Sequence, residues 1–435
     1  MAASKFLRGV GYLAGGTALA QGLTFLVTPF LSRLYLPEEF GVFAVFTSLL
    51  SIFVVLASLR YEWAIPLPKE EESAANLLAL SLLITGTIAL LIGLSVWLWG
   101  SEMSSMLNTP GLSSVLWLLP FSFLGAGVYQ SLHYWALRKQ AYPRIMSTKW
   151  KQSIGMSVVQ LGSGLIHAGP LGLALGDMVG RVSGTGSLLL TSWKQDRVSL
   201  QGISWGNIRK AARRYMKFPL FSSWSALLNT ISMQIPILFL GYAYHAEIVG
   251  HFSFSLNLVS APLTLVSNAV SNVYMAEMSK LMLEMPEQAE IFFWKTLRNL
   301  VFVIPLVALL ALFAPWLFAV VFGEEWRDAG LYLQISSPML ALSFLANSIG
   351  FTIIVLERQD LHAIRELIRL PLMLLAVVLS VTLSFSSTLT IAALCTAGAV
   401  GYLIHGYLSW YAIRRAPHLS QKNEREEEPA KHACQ

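Results

Sequence analysis

The chain has 435 residues, of which 55% are hydrophobic and only 12% are charged, and its formal net charge is +6. A mean hydropathy of +0.60, with apolar residues spread along the whole chain, excludes a large soluble domain. The two cysteines, Cys395 and Cys434, exclude a disulfide framework and a cysteine metal cluster.

Apolar stretches of about 17 to 27 residues recur along the chain, and ~20 such residues cross a hydrocarbon core as a helix. The pattern therefore predicts an all-α integral membrane protein with about 12 transmembrane helices. The predicted spans are 9–32, 41–59, 76–99, 111–136, 152–168, 171–192, 218–241, 248–273, 297–321, 329–356, 370–385 and 389–411.

The basic residues are distributed unevenly between the loops. Of the 30 Lys and Arg residues, 27 lie at the termini and in alternate loops, while the opposite loops hold only Arg33 and Arg327. The positive-inside rule therefore predicts that both termini are cytoplasmic. Loops of this kind rest against anionic lipid headgroups, which explains the net positive charge without a nucleic-acid partner.

The two halves of the chain resemble each other weakly. A shift of 209 residues places Gly41 on Gly250 and Phe43 on Phe252, each pair following a short acidic loop. A single match of this kind arises by chance between apolar segments, but their common order favours a parallel repeat. The predicted organisation is an N-terminal six-helix lobe (1–205), a C-terminal six-helix lobe (206–413) and a cytoplasmic tail (414–435).

Charged residues within a membrane span are costly and are candidates for function. Asp177 and Arg181 lie four residues apart in the sixth predicted span, so they share one helix face and can neutralise each other. On the functional interpretation, Arg181 faces a cavity and contacts a sugar or pyrophosphate, and Asp177 adjusts the strength of that contact. On the structural interpretation, the pair locks the sixth helix to a neighbour.

Polar residues in the second half are weaker candidates. Amide side chains within spans hydrogen-bond sugar hydroxyls, but they also join neighbouring helices. The candidates for substrate binding are Gln234, Asn257, Asn268 and Asn272, and those for ion coupling are Asp177, His251 and Glu277. A histidine at an interface is usually only solvated, so the alternative for His251, and similarly for Glu277, is an ordinary side chain without a role in coupling.

Two blocks near the N-terminus carry a family resemblance: LSRLYLPEEFGVF at 31–43 and SLRYEWAIPLP at 58–68. They resemble the Wzx-type flippases of lipid-linked oligosaccharide, in the superfamily that also holds drug/cation antiporters of the MATE type and lipid II flippases. Arg60 and Glu62 lie inside the second block, at the predicted cytoplasmic end of the second span. A guanidinium there can grip pyrophosphate through bidentate hydrogen bonds, or it can simply contact lipid headgroups.

The resemblance implies two six-helix lobes around a central cavity that opens alternately to either side of a bacterial inner membrane. It implies a cargo of undecaprenyl-pyrophosphate-linked oligosaccharide, used for O-antigen, capsule or exopolysaccharide. A polysaccharide polymerase and chain-length machinery are the implied partners. No cofactor is expected, and H⁺ or Na⁺ is a candidate coupling ion.

Two other functions remain open from the residues alone. A cation-coupled drug antiporter of the same superfamily fits the topology, although an Arg-containing cavity favours an anionic cargo. A membrane polysaccharide polymerase is a distant alternative, because the longest outer loop, near 100–110, is too short to build a catalytic site. The chain contains no phosphate-binding P-loop pattern, so ATP does not drive the process from this chain. With neither a large outer loop nor a cytoplasmic nucleotide-sugar domain, we expect a transporter rather than an enzyme.

Overall fold

In the computed structural model, residues 2–356 and 358–432 are described, with side chains from Gly15 to Arg415 except at positions 221, 357, 359 and 362. This part of the chain is helical and contains no strand. The first eight α-helices are α1 (Ala2–Leu34), α2 (Pro37–Val54), α3 (Glu71–Met106), α4 (Ser113–Leu116), α5 (Leu119–Arg138), α6 (Tyr142–Leu165), α7 (Pro170–Gln195) and α8 (Trp205–Arg214). The second eight are α9 (Ser223–Ala243), α10 (Ala246–Glu284), α11 (Ala289–Leu300), α12 (Val303–Phe322), α13 (Arg327–Ser348), α14 (Thr352–Val355), α15 (Gln359–Thr382) and α16 (Ser387–His432).

Each predicted span coincides with a helix or a helix pair. Among the described residues, seven helical stretches are long and apolar enough to cross a membrane, or eight if a pair bent by 56° counts as one span. The seven are Pro37–Val54, Glu71–Met106, Phe218–Ala243, Ala246–Glu284, Pro286–Phe322, Glu324–Val355 and Ser387–Arg415; the bent pair is Pro110–Leu116 with Leu119–Arg138.

The other four predicted spans lie in α1, α6, α7 and α15, which are helical but outside that apolar set. The sequences of α6 and α7 show why, since polar and charged residues such as Lys149, Gln152, Asp177 and Arg181 interrupt their apolar faces. These are helices that line the cavity described below. The last helix, α16, runs without a break from its span into the predicted tail as far as the structure describes it, to His432. Cys434 lies outside the described residues.

The chain divides into two compact units, Met1–Phe254 with Phe318–Ala329, and Ser255–Leu317 with Gly330–Gln435. The boundary between these units lies within α10, beyond the boundary between the predicted lobes 1–205 and 206–413. The two predicted lobes therefore remain a prediction.

In the first unit, a row of small residues lets α7 pack directly on α6. Glycines recur every four residues along one face of α7, at Gly172, Gly176, Gly180 and Gly184. A Cβ atom added at Gly180 would lie 2.9 Å from both the Gln152 carbonyl oxygen and the Met156 Cβ. Close approach of this kind is how helices associate in a membrane, where lipid is as apolar as leucine. It fixes the rotation of α7 and thereby the direction of Asp177 and Arg181.

A second packing centre of this unit joins α3, α5, α7 and α8. The short helix Tyr61–Ala64 packs against α3 and α5. The hydrophobic core of this packing centre includes Trp135 and Ala211. The Trp135 indole donates to Asp196 Oδ2 at 3.0 Å, and Arg144 pairs with the same oxygen at 3.0 Å. These bonds satisfy a buried indole and a buried carboxylate together.

The second unit has its own cores. One contains Tyr274, Met278, Phe293, Ile349 and Ile413, and thus joins α10, α11 and α16 with the segment after α13. The Tyr274 hydroxyl bonds to Thr352 Oγ1 at 2.8 Å inside it. Its apolar character is typical of helix packing rather than of a polar binding site.

Candidate functional site

The first unit contains a partly open cavity of about 500 Å³ between α1, α5, α6 and α7, with Val54 at the end of α2 also on its wall. The residues on its wall recur every three or four positions along each helix, so each helix presents one polar stripe to it. The lining residues are Thr17, Ala20, Gln21, Thr24, Val54, Ala126, Tyr129, Gln130, His133, Lys149, Gln152, Ser153, Met156, Asp177, Gly180 and Arg181.

The charged part of the wall contains two cations and one carboxylate. Arg181 Nε donates to Asp177 Oδ2 at 2.6 Å, so the predicted ion pair forms within α7. The Asp177 side chain is only 10% exposed, whereas that of Arg181 is 35% exposed. Lys149 on α6 places its Nζ 5.1 Å from the Tyr129 ring centroid, within cation–π range. Because the cations outnumber the carboxylate, the cavity favours an anionic group.

The neutral part of the wall supplies amides and hydroxyls. Gln21, Gln130 and Gln152 come from three different helices. Two buried atoms on this wall, Gln21 Oε1 and His133 Nδ1, have no hydrogen-bond partner among the described residues. Amides donate and accept at once, as sugar hydroxyls do. The arrangement therefore suits a hydroxyl-rich ligand next to an anion.

Glu62 lies behind this wall, in the helical turn Tyr61–Ala64 between the spans. The residues before it, Leu59 and Arg60, both have left-handed backbone angles, with φ of 50° and 65°, which L-residues rarely adopt. Gln130 Nε2 donates to Glu62 Oε1 at 3.0 Å, and the Ser58 hydroxyl donates to the other carboxylate oxygen. Glu62 is 1% exposed, and this burial raises the pKa of its carboxyl above the usual range.

Arg60, the neighbour predicted to bind phosphate, does not line the cavity. Its guanidinium carbon lies 4.5 Å from the centroid of the Trp63 ring. Arg60 Nε is buried without a hydrogen-bond partner in the described part of the chain. Glu62 is therefore connected to the cavity wall through its hydrogen bond with Gln130, whereas Arg60 stacks on Trp63.

The predicted residues of the second half lie on α9 and α10. Asn257, Asn268 and Asn272 are exposed on α10, as is Glu277, and Gln234 is half-buried in α9. Gln234, in the first unit, is not among the lining residues, and a role of these five residues in binding or coupling stays a prediction.

His251 lies in a packed environment rather than at a solvated interface. It is 3% exposed, its Nε2 bonds to the Glu325 carbonyl oxygen at 2.8 Å, and its ring meets Trp326 edge-on at 5.8 Å. Within the described residues, no group of three or more His, Cys, Asp or Glu side chains is arranged to hold a metal ion.

Several lining residues escape the sequence prediction, above all Gln21, Gln130, Lys149 and Gln152. The signal that identifies them is the helical spacing of polar residues inside apolar segments: Thr17, Gln21 and Thr24 recur at i, i+4 and i+7. Hydropathy assigns Lys149 to a basic loop, whereas α6 begins at Tyr142, ten residues before the predicted span.

Comparison with known proteins gives consistent results. A family described as "Polysaccharide biosynthesis protein" matches residues 30–330. The succinoglycan biosynthesis transport protein ExoT of Rhizobium meliloti (strain 1021) is 22% identical over 369 residues, which cover 80% of this chain and 67% of ExoT.

Two solved structures share the fold. A structure titled "Lipid II flippase MurJ, inward closed conformation" superposes with a TM-score of 0.72 at 12% identity, covering 93% of this chain and 92% of its own. An inward-facing multidrug resistance MATE family transporter superposes with a TM-score of 0.57 at 16% identity, covering 94% and 96%. The predicted fold class and resemblance are confirmed, and the relatives are transporters rather than enzymes.

Proposed function

The chain belongs to the polysaccharide biosynthesis protein family, and we propose that it flips undecaprenyl-pyrophosphate-linked oligosaccharide across a bacterial cytoplasmic membrane. The cargo enters from the cytoplasmic leaflet and leaves in the outer leaflet, where it supplies the synthesis of O-antigen, capsule or exopolysaccharide. Polymerase and chain-length machinery are the proposed partners on that side. The distribution of basic residues supports a cytoplasmic position for both termini.

The observation that carries this proposal is the mixed cavity of the first unit. Arg181 and Lys149 supply positive charge, and charge-assisted hydrogen bonds from such groups hold phosphate oxygens. Gln21, Gln130 and Gln152 supply donors and acceptors for sugar hydroxyls. The two kinds of group lie on one wall, as a headgroup of sugar joined to pyrophosphate requires. The prenyl chain stays in lipid.

We propose alternating access as the mechanism, with the headgroup site exposed to one side of the membrane at a time. A ligand shifts such an equilibrium only if it binds the two states with different affinity. Separation of Arg181 from Asp177 is a suitable source of that difference, because the pyrophosphate competes with the carboxylate for the guanidinium. A proton or sodium gradient supplies the direction, with Asp177 as the first candidate coupling site and His251 and Glu277 as secondary candidates.

A drug/cation antiporter is the second candidate function. The buried carboxylate of Asp177 favours it, since a cationic drug or a coupling ion binds such a group, and the fold is shared with a MATE transporter. The two functions differ in the charge of the cargo. Arg181→Ala would weaken the binding of an anionic cargo and strengthen that of a cationic one.

The test is the rescue of surface polysaccharide in a bacterium that lacks its own flippase and makes a compatible oligosaccharide. The wild-type chain is compared with Arg181→Ala and with Arg60→Ala, and membrane abundance is measured for each. We expect rescue by the wild type and its loss, per unit of protein in the membrane, in Arg181→Ala. Arg60→Ala separately tests the proposed contact of Arg60 with pyrophosphate, outside the cavity. Resistance to cationic drugs without rescue would support the antiporter.

A further inference from the structure

The short helix α8 carries a concentrated positive charge between two larger helices. Five basic residues occur within and just after it, and no acidic residue lies between Asp196 and Glu247. The five are Arg209, Lys210, Arg213, Arg214 and Lys217, and all are exposed. None of them forms an ion pair within the part of the chain that the structure describes.

The opposite face of α8 already has its partners. Ile208 and Ala211 are buried, and the side chain of Asn207 donates to Glu72 Oε1 at 2.8 Å. The segment before the helix is also fixed, because Asn76 bonds to Gly202 at 3.1 Å and to the Ser204 amide at 3.0 Å. The helix is thus docked on α3 by one face, so its basic face is not required for packing.

Three of the exposed residues form a single row. Trp205, Arg209 and Arg213 follow one another at intervals of four, which aligns them along one side of the helix. We call these three residues the basic stripe. Lys210 and Arg214 point instead toward a separate pocket that also contains Glu70 and Glu72, so their charge is partly balanced. The basic stripe forms no ion pair with any described acidic residue.

The surroundings of α8 are typical of a segment at the membrane surface. The next stretch able to span the membrane begins at Phe218, directly after the turn that ends α8. Trp193 at the end of α7, Trp205 and Trp224 at the start of α9 are 62%, 75% and 62% exposed. Tryptophan is enriched at the depth of lipid headgroups, and a cluster of basic residues immediately next to the end of a span is typical of a binding site for anionic lipids.

We propose that the basic stripe of α8 is a binding surface for the headgroups of anionic phospholipids. The tryptophan sits among the headgroups and acyl-chain ends, while Arg209 and Arg213 reach the phosphates. This surface holds α8 against the membrane at the start of α9. The inference requires only that the chain spans a membrane, so it stands apart from the proposed cargo.

The experiment uses the full chain reconstituted in phosphatidylcholine vesicles with or without phosphatidylglycerol. Brominated lipids quench tryptophan, and the difference between wild type and Trp205→Phe isolates the signal of Trp205. We expect brominated phosphatidylglycerol to quench Trp205 more than brominated phosphatidylcholine. In Arg209→Gln/Arg213→Gln, the apparent affinity for phosphatidylglycerol falls roughly 20- to 30-fold, because each cation near the surface contributes ~1 kcal/mol.

Two controls separate this binding from general charge and from misfolding. Lys280→Gln/Arg298→Gln removes the same charge from exposed positions of the second unit and should keep the preference. Arg209→Lys/Arg213→Lys keeps the charge and should also retain it. Equal quenching of Trp205 by both lipids, or equal losses in the two glutamine variants, would overturn the proposal. Binding of an acidic peptide or nucleic acid by the stripe, without lipid preference, would overturn it as well.

Discussion

Gly41 and Gly250 meet at a reciprocal backbone contact near the starts of α2 and α10. A Cβ atom added at Gly41 would lie 3.0 Å from the Gly250 nitrogen, and one added at Gly250 would lie 3.0 Å from the Gly41 nitrogen. The same added atoms would overlap the carbonyl oxygens of Ala246 and Pro37, respectively. Only glycine permits both helices to approach so closely.

Overpacking usually costs about 1–3 kcal/mol, and we expect Gly41→Ala and Gly250→Ala to destabilise the protein by at least this amount. The added methyl group would meet backbone atoms, which move less easily than side chains. Thermal unfolding of the purified chain measures this. Gly86→Ala in α3 is the matched control, because a Cβ there has no atom within 4 Å and alanine favours a helix. Equal unfolding temperatures for Gly41→Ala and Gly86→Ala would contradict the contact.

Asp177 and Arg181 provide a test that separates stability from transport. Asp177→Asn leaves an unpaired cation and Arg181→Gln an unpaired carboxylate, and each single change should lower membrane abundance. The double variant is neutral and should recover abundance. Because the guanidinium is lost, it should still fail to transport. Polysaccharide rescue per unit of protein measures this, and full rescue by the double variant would show that the pair is structural only.

Lys149 and Lys151 form a natural control pair on α6. Lys149 lines the cavity, whereas Lys151 is directed to Ser187 at 2.6 Å. We expect Lys149→Gln to reduce transport by about tenfold or more, as one lost charge-assisted hydrogen bond of ~1.5 kcal/mol or above implies. Lys151→Gln should remain within about twofold of wild type. Transport rates in vesicles compare the two, and equal losses would argue against a cavity role for Lys149.

Glu62 predicts a defined pH dependence of stability. Burial raises the pKa of this carboxyl, so the folded state holds the proton more tightly than the unfolded state. This contribution therefore favours folding below the unfolded pKa, about 4.3, and is lost as pH rises through the higher folded pKa. Glu62→Gln should abolish that part of the profile. Unfolding temperatures from acidic to neutral pH test it, and superimposable profiles would contradict the assignment.

Most of the helical fold can be predicted from the sequence, because the length of each apolar run is visible in the residue order. The sequence also predicts Asp177 and Arg181, since charges within a span are conspicuous. Lys149 and Gln130 are harder to assign, because helix rotation depends on tertiary contacts such as the packing of Gly180 on α6. Arg60 illustrates the same limit, because neither its left-handed backbone angle nor the position of its guanidinium over Trp63 is indicated by the residue type.

The repeat is informative in a similar way. The shift of 209 residues that pairs Gly41 with Gly250 is visible in the sequence. Their contact is not visible in the sequence, because equivalent positions of two repeats need not lie close together in the structure. His251, next to Gly250, illustrates the consequence: its position suggests an ionisable surface group, whereas the tight packing buries it against Trp326.

The most direct test of the proposed function is translocation by the purified chain alone. Fluorescent undecaprenyl-pyrophosphate oligosaccharide is placed in vesicles that contain the protein, and a membrane-impermeant quencher reports the fraction in each leaflet. We predict that the wild-type chain exchanges the labelled lipid between leaflets, and that Arg181→Ala and Lys149→Gln slow this exchange while Lys151→Gln does not. Exchange no faster than in protein-free vesicles, together with uptake of a cationic drug by the same preparation, would contradict the flippase assignment.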